Sequence, residues 1–380
     1  MKKVFYLSYF DIPEHSDQQR NYVLSAATKS EYECKALAKA GYTVEIVSAA
    51  GTYSNKFCSG CVKELCENLK LRLFDAMPTK YHFQSVIARK HLKKQLTRYL
   101  LSNVTENDVL IVYHSMAYVD LVQQIKLEKN PTLIIEANEV YADVTSDEKI
   151  REAEQEFLQS ADAYILSTEL LNEKINVNNK PYVVNYGTFG VAPQLADHIN
   201  DGKIHAVYAG VLEPRKGAQL AILAAEFLPE NYHIHIIGFG SEKDINDIKS
   251  LINEVSQKTK CKVTYDGKYS GEDYLRFLQS CQIGLVTQNK DASFNETSFP
   301  SKVLSYLSNG LRVVSVRIKA IEVSKVANLM YFYDDDSAKE VANAILSVDF
   351  TDGYDSRKTL KLLDSGFVNG FFSLIDRSKR

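Results

Sequence analysis

The sequence predicts a doubly wound α/β protein of two similar domains, on three observations. Short apolar runs alternate with longer helix-period segments almost throughout the chain. The runs are continuous Val/Ile/Leu stretches rather than alternating ones, the mark of parallel strands covered on both faces. About thirteen such runs overshoot a closed (βα)₈ barrel, and one open twisted sheet that wide tends to split. Right-handed crossovers then place helices on both sides of each sheet.

Taken in order, the first-half strands read KVFYLSY, YTVEIVSA, LRLFDA, DVLIVYH, TLIIEAN, AYILS and PYVVNY. Helix-period segments between them include Asn21–Lys39, Phe83–Leu101 and Glu148–Gln159. The second half gives IHAVYAG, YHIHIIG, KVTYDG, IGLVTQ, LRVVSV and LMYFY, with helices Ala218–Phe227, Glu242–Ser256, Glu272–Leu278, Ser301–Ser308 and Ala338–Ser347. Both periodicities lapse over Gly187–Gly202, where Gly, Pro and Asp concentrate, so the domain seam is placed there. Thr351–Arg380 reads as a glycine-broken helical tail with Phe367, Phe371, Phe372 and Ile375 available to pack.

Composition narrows the class. With 380 residues, 45% hydrophobic and 24% charged, there is ample material for a core in each half, which excludes a disordered or collagenous chain. A net charge of −3 leaves any basic surface local and gives no sign of nucleic-acid binding. The six cysteines include the cluster Cys58, Cys61 and Cys66, which lacks a fourth ligand at zinc spacing, so they are read as free thiols and no metal is expected. The opening apolar run stops at Asp11 and Pro13 with no cleavage site, which reads as a buried strand rather than a signal peptide.

Three segments of the second half carry chemistry. In VYAGVLEPRKGAQLAILAAEFL a strand ends at Gly210, and Arg215 and Lys216 precede a helix opened by Gly217. Adjacent cations near a helix start suit an anion such as a diphosphate; a solvated surface pair is the other reading. IIGFGSE then offers Gly238 and Gly240 for close backbone approach, with Ser241 as a cap. NETSFPSKVLSYLSNGLRVVSV places Ser298 and Pro300 at a further helix start, ended by Gly310.

In this order, these segments and KVTYDGKYSGEDYLRFLQSC resemble the donor half of GT-B glycosyltransferases, in particular glycosyltransferase family 4 (group 1). The resemblance implies two Rossmann-like domains facing a cleft. Residues 1–190 would bind the acceptor, with 351–380 packing back on them, and residues 203–350 would bind a nucleotide-diphosphate sugar, with UDP expected rather than GDP. Lys216, with Arg215 beside it, would neutralise the diphosphate. Gly238, Gly240, Tyr269, Glu296, Thr297, Ser298, Phe299, Lys302 and Ser305 would line the donor, with the base near Asp266–Tyr269. The chain departs from the family at Val211, where an Arg is usual, and at Ser305 and Thr297, where two Glu stand eight residues apart.

On the acceptor side, DIPEHSDQQR replaces the family's glycine-rich loop and offers His15, Gln18 and Arg20. His114, Glu136 and Glu139 stand at strand ends, where a carboxylate or imidazole can orient a hydroxyl or accept its proton; capping or core roles are the alternatives. From Ala76 to Thr105 there is no acid, while Lys90, Lys94 and Arg98 share a helix face opposite Leu92, Leu96 and Leu100. That face suits an anionic membrane surface or a solvated exterior.

The expected protein is therefore a retaining hexosyltransferase, cytoplasmic and peripheral on the inner face of the cell membrane, acting on a glycan or lipid-linked glycan in surface polysaccharide biosynthesis, without a cofactor. A non-catalytic GT-B protein that partners an active transferase is the second reading, and a sugar-nucleotide epimerase the third.

Overall fold

The computed structural model describes residues 3–79, 82–141, 147–290, 298–351 and 353–378, without the side chains of residues 25, 82 and 83. The chain forms two compact units, Met1–Thr188 with Gly366–Arg380, and Phe189–Ser365.

The first unit carries β1 (Lys3–Ser8), α1 (Leu24–Lys39), β2 (Thr43–Ser48), β3 (Cys61–Cys66), β4 (Leu69–Leu73), α2 (His82–Asn103), β5 (Val109–Tyr113), α3 (Val119–Lys129), β6 (Thr132–Ala137), α4 (Glu148–Gln159), β7 (Ala163–Leu166), α5 (Glu169–Ile175) and β8 (Tyr182–Val184). Its sheet runs β3-β4-β2-β1-β5-β6-β7-β8. Every pairing is parallel except β3 with β4. The strand β3 is absent from the sequence reading because its burial alternates residue by residue, as befits an edge, rather than forming an apolar run. Chain order reverses between β1 and β5, so the carboxyl ends of those strands are the expected ligand position.

The second unit carries β9 (Ile204–Val211), α6 (Ala218–Ala224), β10 (Tyr232–Phe239), α7 (Glu242–Ser256), β11 (Lys262–Gly267), α8 (Gly271–Gln279), β12 (Ile283–Val286), α9 (Ser301–Ser308), β13 (Arg312–Val316), α10 (Lys319–Glu322), β14 (Met330–Tyr333) and α11 (Ala338–Leu346). Its sheet, β11-β10-β9-β12-β13-β14, is parallel throughout and reverses between β9 and β12. The helix α7 begins with a capping box, in which the Ser241 side chain accepts from Asp244 N–H and Asp244 accepts from Ser241 N–H. Pro300 is the N-cap of α9 rather than its first residue.

The tail is one helix, α12 (Ser356–Arg377), and not the glycine-broken segment expected. Its second half returns to the first unit. Phe367 stacks on Tyr32 at 5.6 Å, Phe372 lies 5.8 Å from Tyr42, and Phe371 and Ile375 are buried. Gly370 sits where a Cβ would come within 3.1 Å of Val183, so the glycine permits close packing instead of ending the helix.

Candidate functional site

In the second unit the glycines converge at the end of β9 and β10. A Cβ on Gly238 would lie 1.7 Å from the Gly210 carbonyl oxygen, and its φ of +149° is one that side chains rarely adopt. Gly217, at φ +88°, packs on the loop after β12, where a Cβ would meet the Thr287 carbonyl at 1.7 Å. Thr287 Oγ1 donates back to the Gly217 carbonyl at 2.7 Å. The two strands flanking the chain-order reversal are thereby clamped together at their carboxyl ends, which fixes the Pro214–Lys216 turn between them.

Lys302, in the first turn of α9, reaches over this clamp. Its Cε lies 2.7 Å from the position a Cβ of Gly210 would take, and its ammonium is 3.6 Å from the centroid of the Tyr208 ring. The Tyr208 hydroxyl shares its one proton between the carbonyls of Val211 and Lys216, at 2.7 and 2.9 Å, tying the same turn to the same ring. Burial, and secondarily the charge of Lys216, hold the Lys302 ammonium well below the usual lysine range. Among the described residues no carboxylate pairs with Lys302. A lysine held over glycine backbone and an aromatic ring, within the electrostatic reach of a second lysine, suits an anion that would restore its charge.

The other donor-side residues fall into place unevenly. Arg215 points outward, its Nε 2.9 Å from Glu213 Oε2, with both side chains largely exposed, so it forms a surface ion pair. Ser305 Oγ is 3.2 Å from the Tyr274 hydroxyl, a neutral pair at the position where the resemblance led one to expect a carboxylate. Ser298 is half-buried and Phe299 buried, both immediately before α9. Gly240 packs against Leu212 and Asp244. Tyr269 stands on Phe277 with ring centroids 4.7 Å apart and is 36% exposed, a surface on which a planar ring could stack. The Asp266 carboxylate faces away from such a position, accepting from His235 Nδ1 at 3.0 Å and Thr264 Oγ1 at 2.8 Å. Glu296 and Thr297 lie outside the described residues.

In the first unit, two of the predicted ligands are structural. The Arg20 guanidinium is wholly enclosed and donates to the carbonyls of Ala50, Phe74 and Ser59 at 2.9–3.1 Å, so it fastens loops instead of facing a ligand. Glu136 is fully buried, accepting from Tyr6 and Asn138 and paired with Lys29 at 3.2 Å. The Tyr6 hydroxyl also reaches Glu33 Oε2 at 2.5 Å. One hydroxyl proton cannot serve two carboxylates, so a second proton resides on the pair. Burial, then the charge of Glu136, pushes Glu33 up to about 8, against the opposing pull of Lys29.

His15 is partly exposed, with Nδ1 2.8 Å from Asp11 Oδ1. His114 is buried between Phe157 and Tyr141, with Nδ1 3.1 Å from the Glu139 carbonyl. Its Nε2 is 3.2 Å from Glu154 Oε1 but out of line for a hydrogen bond, leaving that nitrogen unsatisfied. Glu139 is exposed at the end of β6. Around it stand tyrosines that sequence reasoning passed over. Tyr9 stacks on Tyr118 at 5.1 Å, and burial, then Glu139, pushes Tyr141 up to about 12. A tyrosine after an apolar strand reads as core, so only the strand-end positions could have singled these out.

Residues 203–348 match the family described as glycosyl transferases group 1. Among solved structures, the chain is similar to sucrose-phosphate synthase from Thermosynechococcus elongatus, with 15% identity, a TM-score of 0.69 and 98% of each chain covered. It is also similar to a UDP-forming α,α-trehalose-phosphate synthase from Burkholderia xenovorans, at 10% identity and a TM-score of 0.68 over 100% of both chains. A third, an E. coli structure described as trehalose-6-phosphate bound with UDP-2-fluoro glucose, has 11% identity and a TM-score of 0.66, covering 98% of this chain and 99% of that one. No curated protein matches the chain in sequence. Strand order and structural likeness agree that the chain has the GT-B fold, and residues 203–348 match the group 1 glycosyl transferase family.

Proposed function

We propose that the protein transfers a sugar, with retention, from a uridine diphosphate donor to a glycan or lipid-linked glycan in surface polysaccharide assembly. The observation that carries the reading is Lys302, set over the Gly210 turn and the Tyr208 ring and lowered in pKa by burial and the charge of Lys216, with no carboxylate paired to it among the described residues. As the bond between the anomeric carbon and the diphosphate oxygen breaks, the sugar becomes oxocarbenium-like and the leaving diphosphate gains charge. Cations held on a rigid clamp stabilise that charge without reorganising, and losing one such group costs about 10²–10³ in rate. The similar structures, one a UDP-forming synthase and one bound with UDP-2-fluoro glucose, support uridine as the base, for which Tyr269 offers a stacking face. Glu139 and the tyrosines at the ends of β5 and β6 would orient the acceptor hydroxyl.

A second reading, a non-catalytic partner of an active transferase, is favoured by the Ser305–Tyr274 pair, which supplies only a neutral hydroxyl for ribose. Titration of UDP and GDP into the full chain separates the two. Binding of UDP in preference to GDP, with slow hydrolysis of a UDP-sugar, supports transfer; failure of both nucleotides to bind at millimolar concentration removes it.

The proposal includes a peripheral membrane position on the cytoplasmic side. No described helix is long and apolar enough to cross a membrane. In α2, Leu92, Leu96 and Leu100 are buried while Lys90, Lys94 and Arg98 are exposed. Flotation with anionic vesicles at low salt is expected and should be lost when these three become Gln; absence of flotation in the parent protein overturns the membrane assignment.

A further inference from the structure

Three histidines meet inside the second unit, away from its glycine turns. His205 is the second residue of β9, and His233 and His235 lie in the first half of β10, with His205 and His233 in register. All three are buried, at 1%, 6% and 4% exposure. One ring nitrogen from each lies within 4.8 Å of the other two.

Hydrogen bonding sets the tautomers. His205 Nε2 is 2.9 Å from Asp201 Oδ1, and His235 Nδ1 is 3.0 Å from Asp266 Oδ2. A carboxylate only accepts, so each imidazole carries its proton on the nitrogen facing it. Thr264 Oγ1 donates to Asp266 at 2.8 Å and so accepts from His233 Nε2 at 2.9 Å. Every outer nitrogen is thus a donor, and in the neutral rings the inner nitrogens are lone pairs. Two of them, His205 Nδ1 and His235 Nε2, stand only 2.9 Å apart. At that distance the two nitrogens share either a proton, with one ring charged, or a metal ion that accepts both lone pairs.

We infer that this cluster is a structural site for a divalent transition metal, zinc by ligand type, held by His205, His233 and His235 with water as the fourth ligand. Neutral imidazoles oriented by carboxylates on their far nitrogens are the usual supporting arrangement of such a site. Zn–N bonds of about 2.0–2.1 Å at tetrahedral angles place nitrogens about 3.4 Å apart. One pair stands at 2.9 Å, shorter than that value, and all three ligand atoms lie within 4.8 Å of one another, so binding would widen the close pair. Asp201, whose side chain is 47% exposed, opens the site to solvent on one side. The bound ion fastens β9 to β10. Through Phe277, which lies edge-on to His235 at 5.4 Å and under Tyr269, it also steadies the face assigned above to the base.

The test uses the full chain, stripped with a chelator and dialysed, and reads metal rather than nucleotide, so its outcome is separate from that of the transferase assignment. Zn²⁺ should bind at one equivalent and raise Tm, and Co²⁺ should give tetrahedral ligand-field bands without thiolate charge-transfer absorption. Asp266→Asn should weaken binding by about 10–100-fold, and His235→Gln should abolish the Co²⁺ bands. If the His235 variant does not fold, the parent Co²⁺ spectrum and the Asp266 variant decide. No binding by the stripped parent protein, or Co²⁺ bands of thiolate character from the cysteines, would overturn the site; so would unchanged affinity in both variants.

Discussion

Lys302 spans the Gly210 turn to bring its ammonium within 3.6 Å of the centre of the Tyr208 ring. The ring stabilises the charge, while burial and Lys216 oppose it. A diphosphate arriving here reverses the balance, raising the lysine back toward its ordinary value. UDP binding is therefore expected to take up protons, and its affinity to fall as pH rises. Calorimetry in buffers of different ionisation enthalpy measures the uptake. Lys302→Met should remove it and weaken UDP by about 1–3 kcal/mol, the range for a charge-assisted contact.

The backbone contact of Gly238 with Gly210 predicts a stability effect that needs no ligand. With a Cβ only 1.7 Å from a carbonyl oxygen, Gly238→Ala must move one strand or the other. The expected loss is about 2–4 kcal/mol, combining overpacking with backbone strain. Gly353→Ala, at an exposed position with nothing within 4 Å, should stay within about 0.5 kcal/mol. Equal denaturation midpoints for the two would refute the contact.

The Glu33–Tyr6–Glu136 arrangement predicts how the first unit responds to pH. Glu33 is raised to about 8 in the folded chain, from an ordinary value of 4.5. The folded state then binds more protons than the unfolded state between those values, so the group's contribution is complete below about 4.5 and is lost as pH rises through 8. Glu33→Gln keeps a donor for Tyr6 and removes the titration. Its stability profile should be flatter than the parent's over that interval, with a relative gain at pH 9; identical slopes would place the proton elsewhere.

Arg20 provides a contrast between a structural cation and a ligand-binding one. Its guanidinium donates to three carbonyls and faces the buried Asp11 carboxylate at 3.9 Å, so Arg20→Ala leaves that carboxylate and the buried Ala50 carbonyl without their cation. A loss of about 3–5 kcal/mol is expected in chemical denaturation. An unchanged midpoint would return Arg20 to the ligand-facing role its sequence position suggested.

Much of the fold was legible because parallel strands covered on both sides must be apolar along their whole length, as VLIVY in β5 and IHAVYAG in β9 are. The strand β3 escaped because an exposed edge leaves no such run. The glycine–lysine turn was legible for a related reason, since only glycine tolerates the backbone positions at 210, 217 and 238. The direction of side chains was not. Arg215 and Lys216 are neighbours in sequence, yet Arg215 turns outward to Glu213, while Lys302, from a distant helix, is the lysine that burial and the charge of Lys216 depress. The histidine cluster was invisible for the same reason: His205 and His235 are thirty residues apart, each inside a stretch that reads as core. Only strand pairing brings them together.

The helix α12 has a consequence for the order in which the protein is made. Residues 366–380 belong to the unit that begins with β1, and they supply Phe367, Phe371 and Ile375 to its interior. A chain synthesised from its amino end ordinarily folds one domain before the next is complete. Here the surface of the earlier unit beside Tyr32 and Tyr42 stays uncovered until the whole of the later unit has been translated.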